Sequence, residues 1–326
     1  MPIPSFASVR AAAERLAGQV VHTPMLRNRW LDETTGRQVL IKPECLQHTG
    51  SFKFRGAFNR LCQLTPDQRA EGVIAWSSGN HAQGVALAAR LMNIPARIVM
   101  PADAPEIKRL NTEAYGAQVI AYDRFTEDRE QIAYDLAARE GGVIVPSYDD
   151  SDIIAGQGTA GAELFQDAAI QGYAVDAFLI CASGGGLVAG CALAAEGLSP
   201  KTAVYSVEPE AFNDHQRSLI SGSRETVVPG VHSICDALLA PSPGALTFSV
   251  NQTRLAGGLS VTDEEVRRAM VFAFDRLKLV LEPGGAVALA ALLAGKVPEH
   301  HHTVAIMLSG GNVDPDLFSQ TIITSS

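Results

Sequence analysis

The chain has 326 residues, 47 % hydrophobic and 19 % charged, enough to bury a large core in two domains, and carries a net charge of −9. That balance excludes a protein that grips a phosphate backbone, which needs clustered cations, and no apolar run approaches the ~18 residues of a membrane span. The five cysteines (Cys45, Cys62, Cys181, Cys191, Cys235) show no CxxC pair, disulfide framework or zinc spacing, so they read as reduced thiols, and with no signal-peptide core the expectation is a cytoplasmic protein.

In chain order, MPIPSFASVRAAAERLAG has the spacing of an amphipathic helix. Short β-branched runs then predict strands at 38–42 (QVLIK), 72–78 (GVIAWSS), 96–101 (ARIVMP) and 117–122 (AQVIAY). Further strands are predicted at 142–146 (GVIVP), 177–183 (AFLICAS), 203–209 (AVYSVEP) and 303–309 (TVAIMLS). Helical patterns lie between many of them, at 81–92, 127–140 and 186–197. Such alternation builds an α/β fold of parallel sheets flanked by helices, in which ligands sit beyond the carboxyl ends of the strands. Residues 210–260, with scattered Pro, Gly and Ser, are the least regular region and are expected to contain long connections.

The chemistry collects behind those strands. In TGSFKFRGAF (49–58), Lys53 stands between Phe52 and Phe54 at a helix start. An amine in apolar company loses solvation of its charged form and becomes a usable base and nucleophile toward an aldehyde; the alternative is a lysine snorkelling to water. WSSGNHAQGVA (76–86) puts Ser77, Ser78, Gly79 and Asn80 at a helix N-terminus that favours a carboxylate, although a plain N-cap needs only one of them.

ICASGGGLVAG (180–190) runs strand, three glycines, helix, which makes Ser183 to Leu187 a candidate phosphate cradle. It also fits a dinucleotide fingerprint, Gly184-x-Gly186-x-x-Ala189 with Glu208 as ribose-binding acid, so a nicotinamide-dependent oxidoreductase competes. SVEPEAFND (206–214) offers Glu208 and Asp214 either to a hard cation or simply to solvent. IMLSGGNVD (306–314) ends the last strand on Ser309, a hydroxyl able to bond a ring heteroatom, while His300, His301 and His302 read as a solvated loop. Pyridoxal phosphate needs an amine, a phosphate cradle and a ring-nitrogen partner; Lys53, 183–187 and Ser309 supply all three.

The motifs SFKFRGA, SSGNHAQGVA, AGQGTAGAEL, SGGGLVAG, VEPEAFND, LEPGGAVALAAL and SGGNVD, in this order, resemble the serine racemase and threonine/serine dehydratase group of fold-type II, tryptophan-synthase-β-like pyridoxal-phosphate enzymes. The resemblance covers nearly the whole chain. It implies that Lys53 holds the cofactor covalently with Phe52 beside the ring, that Asn80 bonds the 3′-oxygen, and that Ser183, Gly184, Gly185, Gly186 and Leu187 hold the phosphate. Where many relatives carry four glycines, Ser183 here adds a hydroxyl. Ser309 matches the ring-nitrogen partner, a neutral hydroxyl that suits elimination over transamination.

The resemblance further implies a substrate-carboxylate site at Ser77, Gly79, Asn80 and His81, and an opposite-face acid/base at Ser78, where many pure threonine dehydratases carry alanine. It places Arg129 near the substrate pocket, which makes 3-hydroxyaspartate a serious substrate; the alternative is an exposed arginine pairing with Glu127 or Asp128. A divalent-cation site (Mg2+ or Ca2+, with Mn2+ as a further option) is implied at Glu208, Asp214 and the backbone carbonyl of Phe212. The implied activity is ammonia-lyase elimination from a small β-hydroxy amino acid, with serine or aspartate racemisation as runner-up. The implied architecture is a large domain of residues 1–49 plus 149–326 and a small domain of 50–148 carrying the SSGNH turn, with the active site in the cleft. Homodimers are usual in the group.

Overall fold

The protein is described from a computed structural model that covers residues 2–324 apart from Ser78 and Pro105. Ser78, the expected opposite-face residue, therefore lies outside the described residues.

Among the described residues, nine strands form two sheets. They are β1 (Gln38–Pro43), β2 (Val73–Trp76), β3 (Ala96–Pro101), β4 (Gln118–Tyr122), β5 (Val143–Ile144), β6 (Ala177–Cys181), β7 (Ala203–Pro209), β8 (Gly257–Val261) and β9 (Thr303–Leu308). One sheet has the order β1-β9-β6-β7-β8 and the other β4-β3-β2-β5, and every pairing within them is parallel. Strands β6 and β9 are buried along their whole length, as expected where helices cover both faces of a parallel sheet. This is why those strands appear in the sequence as unbroken apolar runs.

The stretch 210–260 does hold a long connection, between Ser221 and Ala245, broken only by a single turn at Asp236–Leu238. It also contains the helices Asp214–Ser221 and Ala245–Asn251 and the edge strand β8. Strand β8 opens on Gly257 and Gly258, residues of poor strand propensity, and it owes its state to pairing with β7 from Tyr205↔Gly257 to Pro209↔Val261. A side chain at Gly258 would meet the Gln216 Cβ at 2.7 Å, and Gln216 Nε2 donates to Gly258 O at 2.9 Å. Close approach of a helix explains a glycine that local propensity does not.

The long helix Ser151–Ile170 positions the site. A Cβ at Gly156 would fall 2.7 Å from Arg55 O, and one at Gly158 would fall 2.5 Å from Gly190 O. The small residues of AGQGTAGAEL thus let the lysine-bearing helix Lys53–Leu61 and the helix Gly186–Leu198 behind the glycine loop pack backbone to backbone on one support. A buried ionic cluster adds to this. Arg55 donates to both oxygens of Glu44 and of Glu163, and Lys42 Nζ to Glu163 at 2.6 Å. Arg55, Lys42 and Glu44 are all fully buried. Among the described residues, no helix is long and apolar enough to cross a membrane.

Candidate active site

Residues that follow β2, β5, β6 and β9 line one cavity of about 490 Å³. It brings together Phe52 and Lys53 from beyond β1, Arg129 from beyond β4, and Ser77, Gly79, Asn80, His81, the loop Ser183–Leu187 and Ser309 from the turns after these strands. Glu208, Phe212 and Asp214 do not line it.

Lys53 begins its helix, and its Nζ donates to Ser147 O at 2.7 Å and stands 5.1 Å from the Phe52 ring centre. The side chain keeps partial exposure because it opens onto the cavity, yet the surrounding protein lowers its pKa from 10.5 to about 8. Desolvation of the ammonium is the cause, opposed by the weaker pull of Cys181 and Glu282. The snorkelling alternative fails on this geometry.

The glycine loop is sterically committed to its residues. Gly185 has φ 91°, and a Cβ there would meet His215 Cε1 at 2.6 Å; one at Gly184 would meet the Tyr148 ring at 2.3 Å. The first helical bond after the loop runs from Ala189 N to Gly185 O at 3.0 Å, so the N–H groups of Gly186, Leu187 and Val188 have no acceptor within the helix. Ser183 Oγ accepts from Ala240 N at 3.0 Å, which leaves its proton to donate. Buried Ser309 likewise accepts from Cys181 Sγ at 3.2 Å, and burial holds that thiol protonated with a pKa of about 11. The Ser309 proton is thus also unspent.

On the opposite wall, the helix Asn80–Leu91 starts at the cavity, and Gly79 has open space where a Cβ would be. Ser77 Oγ accepts from Gly79 N at 3.1 Å. The Asn80 amide donates to Glu282 Oε1 at 2.5 Å and accepts from Asn312 Nδ2 at 2.7 Å, which leaves one N–H for a ligand. His81 Nε2 bonds Val145 O at 2.9 Å. Burial and the nearby Lys53 push its pKa to about 3, so what it offers a carboxylate is a backbone N–H.

Exposed Arg129 and Arg224 and buried Lys108 also line the cavity. Lys108 pairs with Asp236, and Arg224 donates to Pro243 O and Ser242 Oγ. Arg129 has no hydrogen-bond acceptor among the described residues. The partners expected for a plain surface arginine are engaged elsewhere: Glu127 takes Asp123 N, and Asp128 caps its helix through Glu130 N and Gln131 N.

Sequence reasoning missed Tyr148, Cys181 and Glu282 as lining residues. Burial raises Glu282 to about 7; its signal was an acid ahead of Pro-Gly-Gly at a helix start. His301 corrects the solvated-loop reading: it is buried and bonds Tyr205 Oη at 3.1 Å.

Away from the cavity, Glu208 accepts from His215 N at 3.0 Å and Gln216 N at 2.8 Å. Burial and then the Asp214 charge raise its pKa well above normal, and burial raises Asp214 to about 7. Both Asp214 oxygens are buried without a protein partner. Among the described residues, no three His, Cys, Asp or Glu side chains converge on a metal position.

A family model described as pyridoxal-phosphate dependent enzyme matches residues 16–310. The chain is 46 % identical over 322 residues to an L-threo-3-hydroxyaspartate ammonia-lyase from Pseudomonas sp, covering 99 % of each. It is 42 % identical over 317 residues to a serine racemase from Schizosaccharomyces pombe, covering 97 % of each. A solved threonine deaminase from T.th. superposes with TM-score 0.89 at 42 % identity, covering 95 % of this chain and 99 % of that one. These matches displace the dinucleotide reading of residues 184–189, and the amine, loop and serine all fit the cofactor. The chain belongs to the pyridoxal-phosphate-dependent enzyme family, in its fold-type II branch with the serine racemases and threonine dehydratases.

Proposed function

We propose that the protein is an ammonia-lyase that eliminates water from a small β-hydroxy amino acid, such as threonine, serine or 3-hydroxyaspartate, to leave a 2-oxo acid and ammonia. The observation that carries this is the Lys53 amine, lowered to about 8, in one cavity with an anion-binding loop, a carboxylate-binding helix start and a hydroxyl donor. Bound through Lys53, pyridoxal phosphate supplies an electron sink. Residues Ser183–Leu187 would hold its phosphate, Phe52 would stand beside its ring, and the remaining Asn80 N–H would be available to its 3′-oxygen.

The chain's own groups do the rest. Backbone N–H groups at Asn80 and His81, with the Ser77 hydroxyl that Gly79 N–H holds in place, orient the substrate carboxylate. Lys53 Nζ, its pKa lowered to about 8 by burial, takes the proton from the α-carbon. Ser309 would be a neutral partner for the ring nitrogen, leaving the ring a weaker electron sink, which suits elimination over transamination. The released enamine hydrolyses to the oxo acid and ammonia.

Arg129, with its unmatched guanidinium lining the cavity, favours a second carboxylate and hence 3-hydroxyaspartate, the substrate class named for the Pseudomonas relative. The second reading is racemisation of serine or aspartate, which the S. pombe relative supports; Ser78 is then the proton donor and acceptor on the far face. Ser78→Ala removes racemisation and spares elimination; loss of both or neither refutes that role.

We also propose that Glu208, Asp214 and the Phe212 carbonyl hold Mg2+ or Ca2+, with Mn2+ as a further option, since two buried carboxylates, both raised by burial and one of them with no protein partner for either oxygen, call for a cation. The cores of the two sheets support a division into 1–49 plus 149–326 and 50–148. A second copy of the chain is the proposed occupant of the face bearing exposed Trp30 and Phe274, and free cysteines suit the cytoplasm. The deciding experiment assays oxo acid and ammonia from L- and D-serine, L- and D-threonine and both 3-hydroxyaspartate diastereomers. Lys53→Ala must abolish every activity found, and a folded variant that retains turnover overturns the assignment.

A further inference from the structure

We propose that His215, Asn251 and Thr247 form a buried polar layer that sets the geometry of the phosphate loop, with His215 as its central positioning residue. The proposal rests on the reading of residues 183–187 as the seat of the cofactor phosphate. None of the three side chains lines the cavity, and all three are fully buried on the far side of the loop.

Thr247 Oγ1 donates to Gly184 O at 2.6 Å, and Asn251 Nδ2 donates to Gly185 O at 3.3 Å. Two consecutive loop carbonyls are thereby drawn away from the cavity. In a planar trans peptide the carbonyl and the following N–H point in opposite directions. The N–H groups of Gly185 and Gly186 are therefore turned toward the cavity that these glycines line.

His215 holds this arrangement from behind. Its Nε2 lies 2.9 Å from Asn251 Nδ2 and accepts from that amide, so it fixes the rotamer that reaches Gly185. Its Cε1 closes the same side of the loop, where any Cβ on Gly185 would collide with His215, Asn251 and Thr247 together. The His215 backbone is itself fixed by its N–H bond to Glu208 Oε1 at 3.0 Å. An oriented loop does not have to be organised when the phosphate arrives, which is where the affinity comes from.

The test compares two aldehydes that differ only in the phosphate. Cofactor-free wild type, Thr247→Val, His215→Ala and His215→Gln are each titrated with pyridoxal phosphate and with pyridoxal, following absorbance of the bound aldehyde. Thr247→Val and His215→Ala should each weaken pyridoxal phosphate about tenfold and leave pyridoxal nearly unchanged. His215→Gln, whose side-chain oxygen accepts from Asn251, should restore most of the loss. If His215→Ala does not fold, the near-isosteric Thr247→Val decides alone. Equal weakening of both aldehydes, or of neither, overturns the proposal while the function stands; wild type that takes up neither aldehyde overturns both.

Discussion

The neutral Lys53 amine is the property on which the chemistry turns, and its pH dependence follows from the structure. Burial lowers its pKa from 10.5 to about 8. Near pH 7.5 about a quarter of such an amine is neutral, against about 0.1 % of an ordinary lysine, a roughly 200-fold larger reactive fraction. Cofactor-free protein mixed with pyridoxal phosphate in a stopped-flow spectrometer should capture the aldehyde at a rate that climbs through about pH 8 and levels off by about pH 9. Borohydride trapping and peptide mass mapping should find the adduct on Lys53, and Lys53→Met should show none.

Stability gives an independent readout of the same shift. Between the folded and unfolded pKa values the unfolded chain binds more protons, so stability rises with pH across that window. The wild type should gain about 3 kcal/mol over Lys53→Met from about pH 8 to 10.5. A capture rate that keeps rising to about pH 10, as for a solvated lysine, with no such difference in stability, would refute the argument from burial.

Arg129→Ala should raise KM for 3-hydroxyaspartate about 10- to 100-fold, the worth of a charge-assisted hydrogen bond, with serine and threonine kinetics unchanged; equal loss on all substrates removes the second-carboxylate role. Calcium or magnesium at a hundred times its Kd should stabilise the protein by about 2.7 kcal/mol, and Glu208→Gln should lose that gain; melting curves indifferent to chelator and to both ions eliminate the cation site. Arg55→Ala strands the buried carboxylates of Glu44 and Glu163 and should cost about 3–5 kcal/mol in denaturant unfolding. A loss under 1 kcal/mol, roughly the worth of a surface ion pair, would mean the cluster is solvated.

Local chemistry alone marks a good part of this protein. The alternation of β-branched runs with helical spacing made the α/β class and eight of nine strands legible, most plainly β6 and β9, which are buried along their whole length and need no partner to reveal them. Lys53, the glycine loop and Ser309 were legible for the same kind of reason: an amine beside aromatics, a run only glycine can adopt, and a hydroxyl closing a strand each announce themselves within a few residues.

Other features belong to the tertiary structure. Strand β8 exists because β7 lies beside it, and two glycines at its start hide it from any local pattern. Glu282 meets Asn80 across 202 positions of chain. Thr247 and Asn251 find the loop carbonyls 63 and 66 residues away. The lowered Lys53 pKa is likewise a property of the walls that desolvate the amine. Pairing across such separations depends on which helices pack together, so short-range sequence specifies the reacting groups, and long-range packing decides their orientation, charge and reach.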